Sequence, residues 1–265
     1  MDFDFSLFFD KYESLAAEVD TIFDNIQAEH PDCVSCGLGC SDCCYALFDL
    51  SLIEALYLNH RFNEAYSGAK RSIIMERADK ADRQAYQIKM KMFKATQKGT
   101  PASEILAEVA RMRIRCPLLG EDDKCDLYDA RPITCRLYGI PTSITGESHT
   151  CGKSGFKEGV SYPTVHMDKI QDRLMLLSLE LVRSLQTRHS QMADVLVPVS
   201  MALLNKYDEE YLGIVDEPQG ESGSWTMHTD GSVTEEDSPC SSCASSGDCD
   251  ASGPDECGIA PKMPK

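Results

Sequence analysis

Apolar residues recur at helical spacing along much of the chain. Phe5, Phe8, Phe9, Tyr12, Ala16, Val19, Phe23 and Ile26 share one face, with acids and a lysine between them. That pattern predicts an amphipathic helix over 5–27, ended by Pro31 and read as a core helix rather than a partner-binding one. Leu52, Leu56 and Phe62 predict a second helix over 50–66, with Asp49 or Ser51 as its cap. A polar helical stretch follows over 70–98 and stops at Gly99-Thr100-Pro101. Ser103 opens a short helix to about Ile114, with Ile105, Leu106, Val109 and Met112 on its apolar side. Ile170, Leu174, Leu177, Leu181 and Leu185 predict a strong helix over 168–187. Val195, Leu196, Val199 and Leu203 predict another over 192–211, which Pro198 kinks or starts. The first helix and these last two are expected to form a bundle.

Two stretches break the helical pattern. Residues 116–151 hold Pro117, Gly120, Pro132, Gly139, Pro141 and Gly146, a density of turn residues that predicts loops, with a short strand around 140–144. Such a region has little apolar surface and needs a crosslink to hold its shape. After Gly213 the chain turns to Ser, Gly, Pro, Asp and Glu, and residues 215–265 read as a disordered acidic tail. The expected organisation is therefore a mainly α, helical metal-binding domain over 1–214, with its cysteine core at 30–155, and the tail beyond it.

Charge narrows the partners. The formal net charge is -17, which argues against general binding to nucleic acid or anionic membranes. The helix over 70–98 runs against that balance, with nine basic residues and three acidic ones, a net of +6. A solvated face is the simpler reading, and docking of an acidic partner or of the acidic tail is the alternative. No secretory signal opens the chain, no apolar run is long enough to span a bilayer, and a cytoplasmic protein is expected.

The cysteines carry the chemistry. Nine of thirteen fall in two clusters, Cys33, Cys36, Cys40, Cys43 and Cys44, then Cys116, Cys125, Cys135 and Cys151. In a reducing compartment such spacing marks metal ligands rather than disulfides, and an odd total does not pair completely. Each thiolate supplies one soft, negative donor, and four make a zinc site or an iron–sulfur cluster. Cys36, Cys40, Cys43, Cys44, Cys116, Cys125, Cys135 and Cys151 suffice for two such sites, or one site and spare thiols, with Cys33 as an extra. Adjacent Cys43 and Cys44 diverge along most backbones, which disfavours both on one small ion. Gly37 and Gly39 allow sharp turns that bring amide N–H groups toward sulfur. The irregular spacing around Pro117 and Pro132 favours iron–sulfur over paired zinc knuckles. A reactive thiol is the third reading, with Arg115, Arg131 or Arg136 lowering its pKa. His149 is a lone surface histidine or a ligand. The tail adds Cys240, Cys243, Cys249 and Cys257, idle, regulatory or metal-binding.

Cys36-x3-Cys40-x2-Cys43-Cys44 is followed by Cys116-Pro117 and then by Cys125-x2-Tyr128-x2-Arg131-Pro132-x2-Cys135-Arg136-x-Tyr138. This string resembles the YkgJ-type cysteine-cluster family, described as a zinc- or iron-chelating domain, over roughly residues 30–155. The resemblance implies metal binding by these cysteines but no one reaction. A related domain occurs in flagellin lysine methylases, yet no glycine-rich S-adenosylmethionine loop follows a strand here. The radical S-adenosylmethionine spacing is matched literally by Cys36, Cys40 and Cys43, but the strand–helix alternation of that fold is missing from the sequence.

The expectation is an iron–sulfur protein, of [4Fe–4S] type, with zinc as the alternative metal. Arg131 and Arg136 would orient or neutralise the thiolates, with Tyr128 and Tyr138 packed nearby. It would act with a protein partner in electron transfer, metal handling or assembly. The alternatives are an enzyme using the cluster for redox or methyl-transfer chemistry, and a structural zinc domain.

Overall fold

The computed structural model describes residues 3–37, 39–214, 225–227 and 233–235. The chain divides into two units, Met1–Asp216 and Glu217–Lys265.

In the first unit, α1 (Ser6–Glu29) starts where Asp4 accepts the Ser6 N–H. It buries Tyr12, Leu15 and Val19. A two-residue strand, β1 (Asp49–Leu50), leads into α2 (Leu52–Ala65). Ser51 caps α2 and Glu54 closes a capping box by accepting the Ser51 N–H. Every residue from Leu52 to Leu58 is buried, so α2 is the central helix and not a one-sided one. It packs on α1 and on α6 (Met167–Leu185), and α1 packs on α6. The bundle expected from the first and last helices is thus built around a helix the apolar pattern had left outside it.

The long polar helix is α3 (Gly68–Gln97), followed by α4 (Ala102–Arg111). The fourth helix stops before Ile114, whose N–H bonds the Tyr45 carbonyl instead. Pro101, not Ser103, occupies its N-cap position. Within the region expected to be loop, α5 (Ile133–Leu137) forms one short turn after Pro132, which is pre-set for a helix start. It is followed by β2 (Thr142–Ile144), β3 (Glu147–His149) and β4 (Val165–His166), in the order β3-β2-β4, antiparallel and then parallel.

The helix expected over 192–211 is broken. Residues 192–194 make one 3-10 turn, and β5 (Val197–Pro198) pairs antiparallel with β1, Leu50 opposite Val197. Pro198 then starts α7 (Val199–Leu204), which packs on α2 and α3, and α8 (Glu209–Leu212) follows. Pro198 lacks the N–H that a continuous helix needs, and the ladder with β1 takes over at that point.

In the second unit β6 (Trp225–Met227) pairs antiparallel with β7 (Val233–Glu235). The tail cysteines, and the disorder expected of the rest of the tail, lie outside the described residues. Among the described residues no helix is long and apolar enough to cross a membrane.

Candidate metal centre

The first cluster sits on irregular chain between α1 and β1. The Cys33 and Val34 N–H groups bond back to the His30 carbonyl at 3.0 and 3.3 Å and turn the chain out of α1. The Cys40 N–H then closes a turn on the Gly37 carbonyl at 3.0 Å. Gly39 has φ +90°, a conformation that side chains resist, so this turn requires a glycine. One 3-10 turn over Asp42–Tyr45 presents Cys43 and Cys44 in succession.

Backbone bonds lay the second cluster along the first. The Cys116 N–H donates to the Cys44 carbonyl at 2.7 Å, one step from the Ile114–Tyr45 bond. The chain then makes a hairpin, in which Gly120 N–H meets Lys124 C=O and Asp126 N–H meets Leu118 C=O, both at 2.7 Å. This fold-back brings Cys125 toward Cys116. Outside it, Asp126 accepts from Lys70 at 2.7 Å and from Arg77 at 2.9 Å, both on α3. Arg115 spans the Leu119 and Gly120 carbonyls at 2.8 and 2.7 Å. Cys135 stands on α5, whose first N–H, from Ile133, is accepted by Glu54 of α2 at 3.0 Å. Cys151 follows β3.

These segments converge on two neighbouring cavities. The larger, of about 610 Å³, has Cys36, Cys40, Cys43, Cys44, Cys116, Cys125 and Cys135 in its wall. The smaller, of about 10 Å³, is lined by Cys36, Cys40, Cys43 and Cys151. All eight cysteines expected as ligands therefore face one or the other. Cys33 faces neither, and its carbonyl instead accepts the Gly155 N–H at 2.8 Å. His149 is exposed on β3 and also lines neither.

The thiols perturb one another strongly. Burial pushes Cys116 up to about 12, helped by the charges of Cys125 and Cys43, while the Leu118 and Leu119 amides act against it. Burial likewise lifts Cys36 to about 11, with Cys40, Cys43 and Cys151 adding to the rise and Arg131 opposing it. Cys125 and Cys151 are also raised, chiefly by burial. Cys43 moves the other way, because the thiols of Cys135 and Cys44 donate hydrogen bonds to its sulfur. Those two donors are raised in turn by the same bonds and by burial. Cys43 is thus the sulfur most favoured as thiolate, with the Cys44 and Cys135 thiols donating to it.

This donor set fits a soft metal. Soft sulfur ligands select zinc, copper(I) and iron–sulfur centres, and here they come from separate chain segments with no disulfide between the nine described cysteines. Backbone N–H groups already point at sulfur: Leu118 and Leu119 at Cys116, Leu127 at Cys125, and Lys153 at Cys151 at 3.4 Å. Such bonds hold thiolate orientation around a metal. Among the described residues no three His, Cys, Asp or Glu side chains stand in ready ion-binding geometry. The thiols are gathered on a cavity wall but bonded to each other.

Arg131 and Arg136 both line the larger cavity. The Arg136 guanidinium is buried and spent on protein oxygens, namely the Asp20 carboxylate, the Asp129 carbonyl and the Arg131 carbonyl. Arg131 stacks on Tyr128 at 4.0 Å and pairs with Asp20 at 3.5 Å, and its charge also favours the thiolate forms of Cys36 and Cys125. Tyr138 donates to Asp42 at 3.2 Å. Asp42 escaped the sequence reading, although it lies between Cys40 and Cys43. Its carboxylate gathers Arg113 at 2.7 Å, Tyr138, the Cys151 thiol at 3.7 Å and Lys153 at 4.0 Å. Burial is the largest single influence and raises its pKa, but the bond and charge of Arg113, with Tyr138 and Lys153, together outweigh it and hold the carboxyl below its usual range.

Residues 32–152 match the model of the CxxCxxCC family, whose description is "Putative zinc- or iron-chelating domain". The match spans both cysteine clusters and ends one residue past Cys151. No curated protein and no solved structure matches the chain.

Proposed function

From the premise that residues 32–152 are a CxxCxxCC zinc- or iron-chelating domain, we propose that this is an iron–sulfur protein with a [4Fe–4S]-type centre in the larger cavity. The observation that carries the reading is the convergence of cysteines from four separate segments on one cavity of about 610 Å³. A cluster needs four thiolates and space for inorganic sulfide between them. Cys44, Cys116, Cys125 and Cys135 supply the four thiols. The cluster would contribute one-electron chemistry when bound. The chain's own residues fix the thiols and supply amide donors to sulfur. Arg131 adds a positive charge that favours thiolate in Cys36 and Cys125. The role that follows is electron transfer or metal handling with a protein partner in the cytoplasm.

A second reading is favoured by the size of the cavity. About 610 Å³ lies within the ~300–1,000 Å³ typical of sites for cofactors and small molecules. Its apolar wall extends past the cysteines to Phe23, Phe48, Ile114 and Val199. An enzyme could therefore seat a small molecule against the cluster for redox or methyl-transfer chemistry.

Anaerobic purification followed by iron, zinc and acid-labile sulfide analysis tests the proposal. Iron and sulfide in equal amounts, near four per chain, with broad brown absorption support it. Zinc without sulfide overturns it in favour of a structural or metal-handling zinc domain. Reversible one-electron reduction whose electron-resonance spectrum ignores added small ligands supports the carrier role. A spectrum that shifts with such ligands supports the enzyme.

A further inference from the structure

The eight thiols do not surround a single point. Four of them, Cys36, Cys40, Cys43 and Cys151, line the smaller cavity. The remaining four, Cys44, Cys116, Cys125 and Cys135, line only the larger one. We propose that the domain carries two metal centres, the second being a single ion held by Cys36, Cys40, Cys43 and Cys151. This rests on the metal-binding reading above but not on the identity of the metal in the larger cavity.

Size separates the two centres. A void of about 10 Å³ holds roughly one atom-sized sphere. That size suits a single ion rather than a cluster with bridging sulfide, once Cys36, Cys40, Cys43 and Cys151 close on it. Four thiolates closing on one ion is the donor set of a structural zinc site, or of its mononuclear iron counterpart. The partition also explains the adjacent pair. Cys43 and Cys44 follow each other on one 3-10 turn, and only Cys43 reaches the smaller void.

The small site has its own support. The Cys151 thiol donates to the Asp42 carboxylate at 3.7 Å, a bond that favours the thiol and gives way when metal takes the thiolate, while Arg113, Tyr138 and Lys153 neutralise that carboxylate. The Lys153 N–H points at the Cys151 sulfur at 3.4 Å. On the opposite side Gly139, at φ +114°, lets the backbone lie directly on Cys36, where an added Cβ would come within 2.8 Å of the Cys36 Cβ. Partners that fix a ligand from behind are what a metal site requires beyond its donors. None of these groups contacts Cys44, Cys116, Cys125 or Cys135 in the described bonds.

The test counts ions in the full-length chain, with Cys240, Cys243, Cys249 and Cys257 changed to Ser so that the tail adds none. Iron, zinc and sulfide are measured in this parent and after Cys151→Ser, Cys40→Ser or Cys125→Ser. Two centres predict that C151S and C40S each lose about one ion per chain and keep all sulfide, whereas C125S loses the other centre and keeps the single ion. If C151S and C40S keep the parent's full metal, or lose it together with the sulfide as C125S does, the second centre is overturned. A parent holding two ions without sulfide, one lost in each class of variant, supports two centres while sinking the iron–sulfur reading. A parent that binds no metal overturns both.

Discussion

The Glu54 carboxylate accepts the N–H of Ile133 at 3.0 Å across a separation of 79 residues. Its other oxygen takes the N–H and hydroxyl of Ser51 at 3.2 and 3.0 Å. One buried side chain thereby caps two helices, the central α2 and the short α5 that carries Cys135. Contrary to the expectation of little apolar surface there, the second cysteine region buries Leu118, Leu119, Leu127, Ile133, Leu137 and Ile140, and this bond adds a polar tie to the core. Glu54→Ala leaves the Ile133 and Ser51 donors without acceptors. It should cost about 2–3 kcal/mol of stability and weaken metal retention, read by denaturant unfolding and by metal loss to a chelator.

Glu54 also gives the domain a pH signature. Burial raises its pKa above 4.5, outweighing the bonds from Ile133 and Ser51. A carboxyl raised by folding contributes stability that is complete below its unfolded pKa and is lost as pH rises through the folded one. Stability should therefore fall as pH rises from about 4.5 into the raised range, and Glu54→Gln should remove that slope. Unfolding midpoints of both proteins across this window check it. A slope unchanged in E54Q would assign the effect to another group.

Arg136 is predicted to matter for structure rather than for thiolate chemistry. Its guanidinium bonds to Asp20 of α1 and to the carbonyls of Asp129 and Arg131, and it is buried. Lysine cannot reproduce three bonds in a planar fork. Arg136→Lys should lower stability by about 1–3 kcal/mol. The metal centre's spectrum, once loaded, should be unchanged. A shifted spectrum at intact stability would reverse the assignment.

How much of this was legible beforehand depended on range. Periodicity placed α1 and α6 within a few residues, because each buries a stripe facing the core, and α3 was placed as a polar helix stopped at Gly99-Thr100-Pro101. Periodicity undervalued the first half of α2, where residues 52–58 are buried on every side and show no polar face, although His60, Arg61 and Glu64 of its second half are exposed. It also ran one helix through Pro198, where a pairing with Leu50 some 150 residues earlier decides the structure. That the two cysteine clusters come together was readable from residue type and spacing. Asp42 and the Glu54–Ile133 bond were not, since a carboxylate's partners in a folded chain leave no local mark in the sequence.

Proton release should accompany metal loading. Burial holds Cys116 near 12 and Cys36 near 11, so both are protonated at neutral pH in the metal-free chain. Binding as thiolates must expel those protons. Affinity measured by chelator competition should fall at least ~100-fold per pH unit lost, which is tenfold for each of at least two protons. Metal-free stability shows the opposite side of the same shifts. Raised thiols contribute stability fully below the ordinary value near 9, and it is lost as pH rises toward 11–12. Cys43 is lowered, so its contribution is present at alkaline pH and is lost only as pH falls through its folded value. An affinity that is flat between pH 6 and 8 would remove Cys36 and Cys116 from the ligand set.

The basic helix has a structural use that its charge count did not reveal. Lys70 and Arg77 meet at Asp126, beside Cys125, and the Asp126 carbonyl accepts the Tyr66 hydroxyl. Lys89 and Lys91 pair with Asp49 and Glu108. Lys89 and Lys91 thus tie α3 to β1 and α4, whereas Lys70 and Arg77 clamp the cysteine hairpin. They are unequal, because Lys70 is about half exposed and solvent screens its pair, whereas Arg77 is three-quarters covered. Arg77 also donates to the Leu119 carbonyl inside the hairpin. Lys70→Ala should therefore change stability little, whereas Arg77→Ala should cost about 1–3 kcal/mol. Because Arg77 grips both strands of the 116–126 fold-back, R77A should also speed metal loss to a chelator while K70A leaves it unchanged. Equal release rates in the two variants would mean that Arg77 does not hold the hairpin, which is then kept by its backbone bonds and by Arg115 and Tyr66.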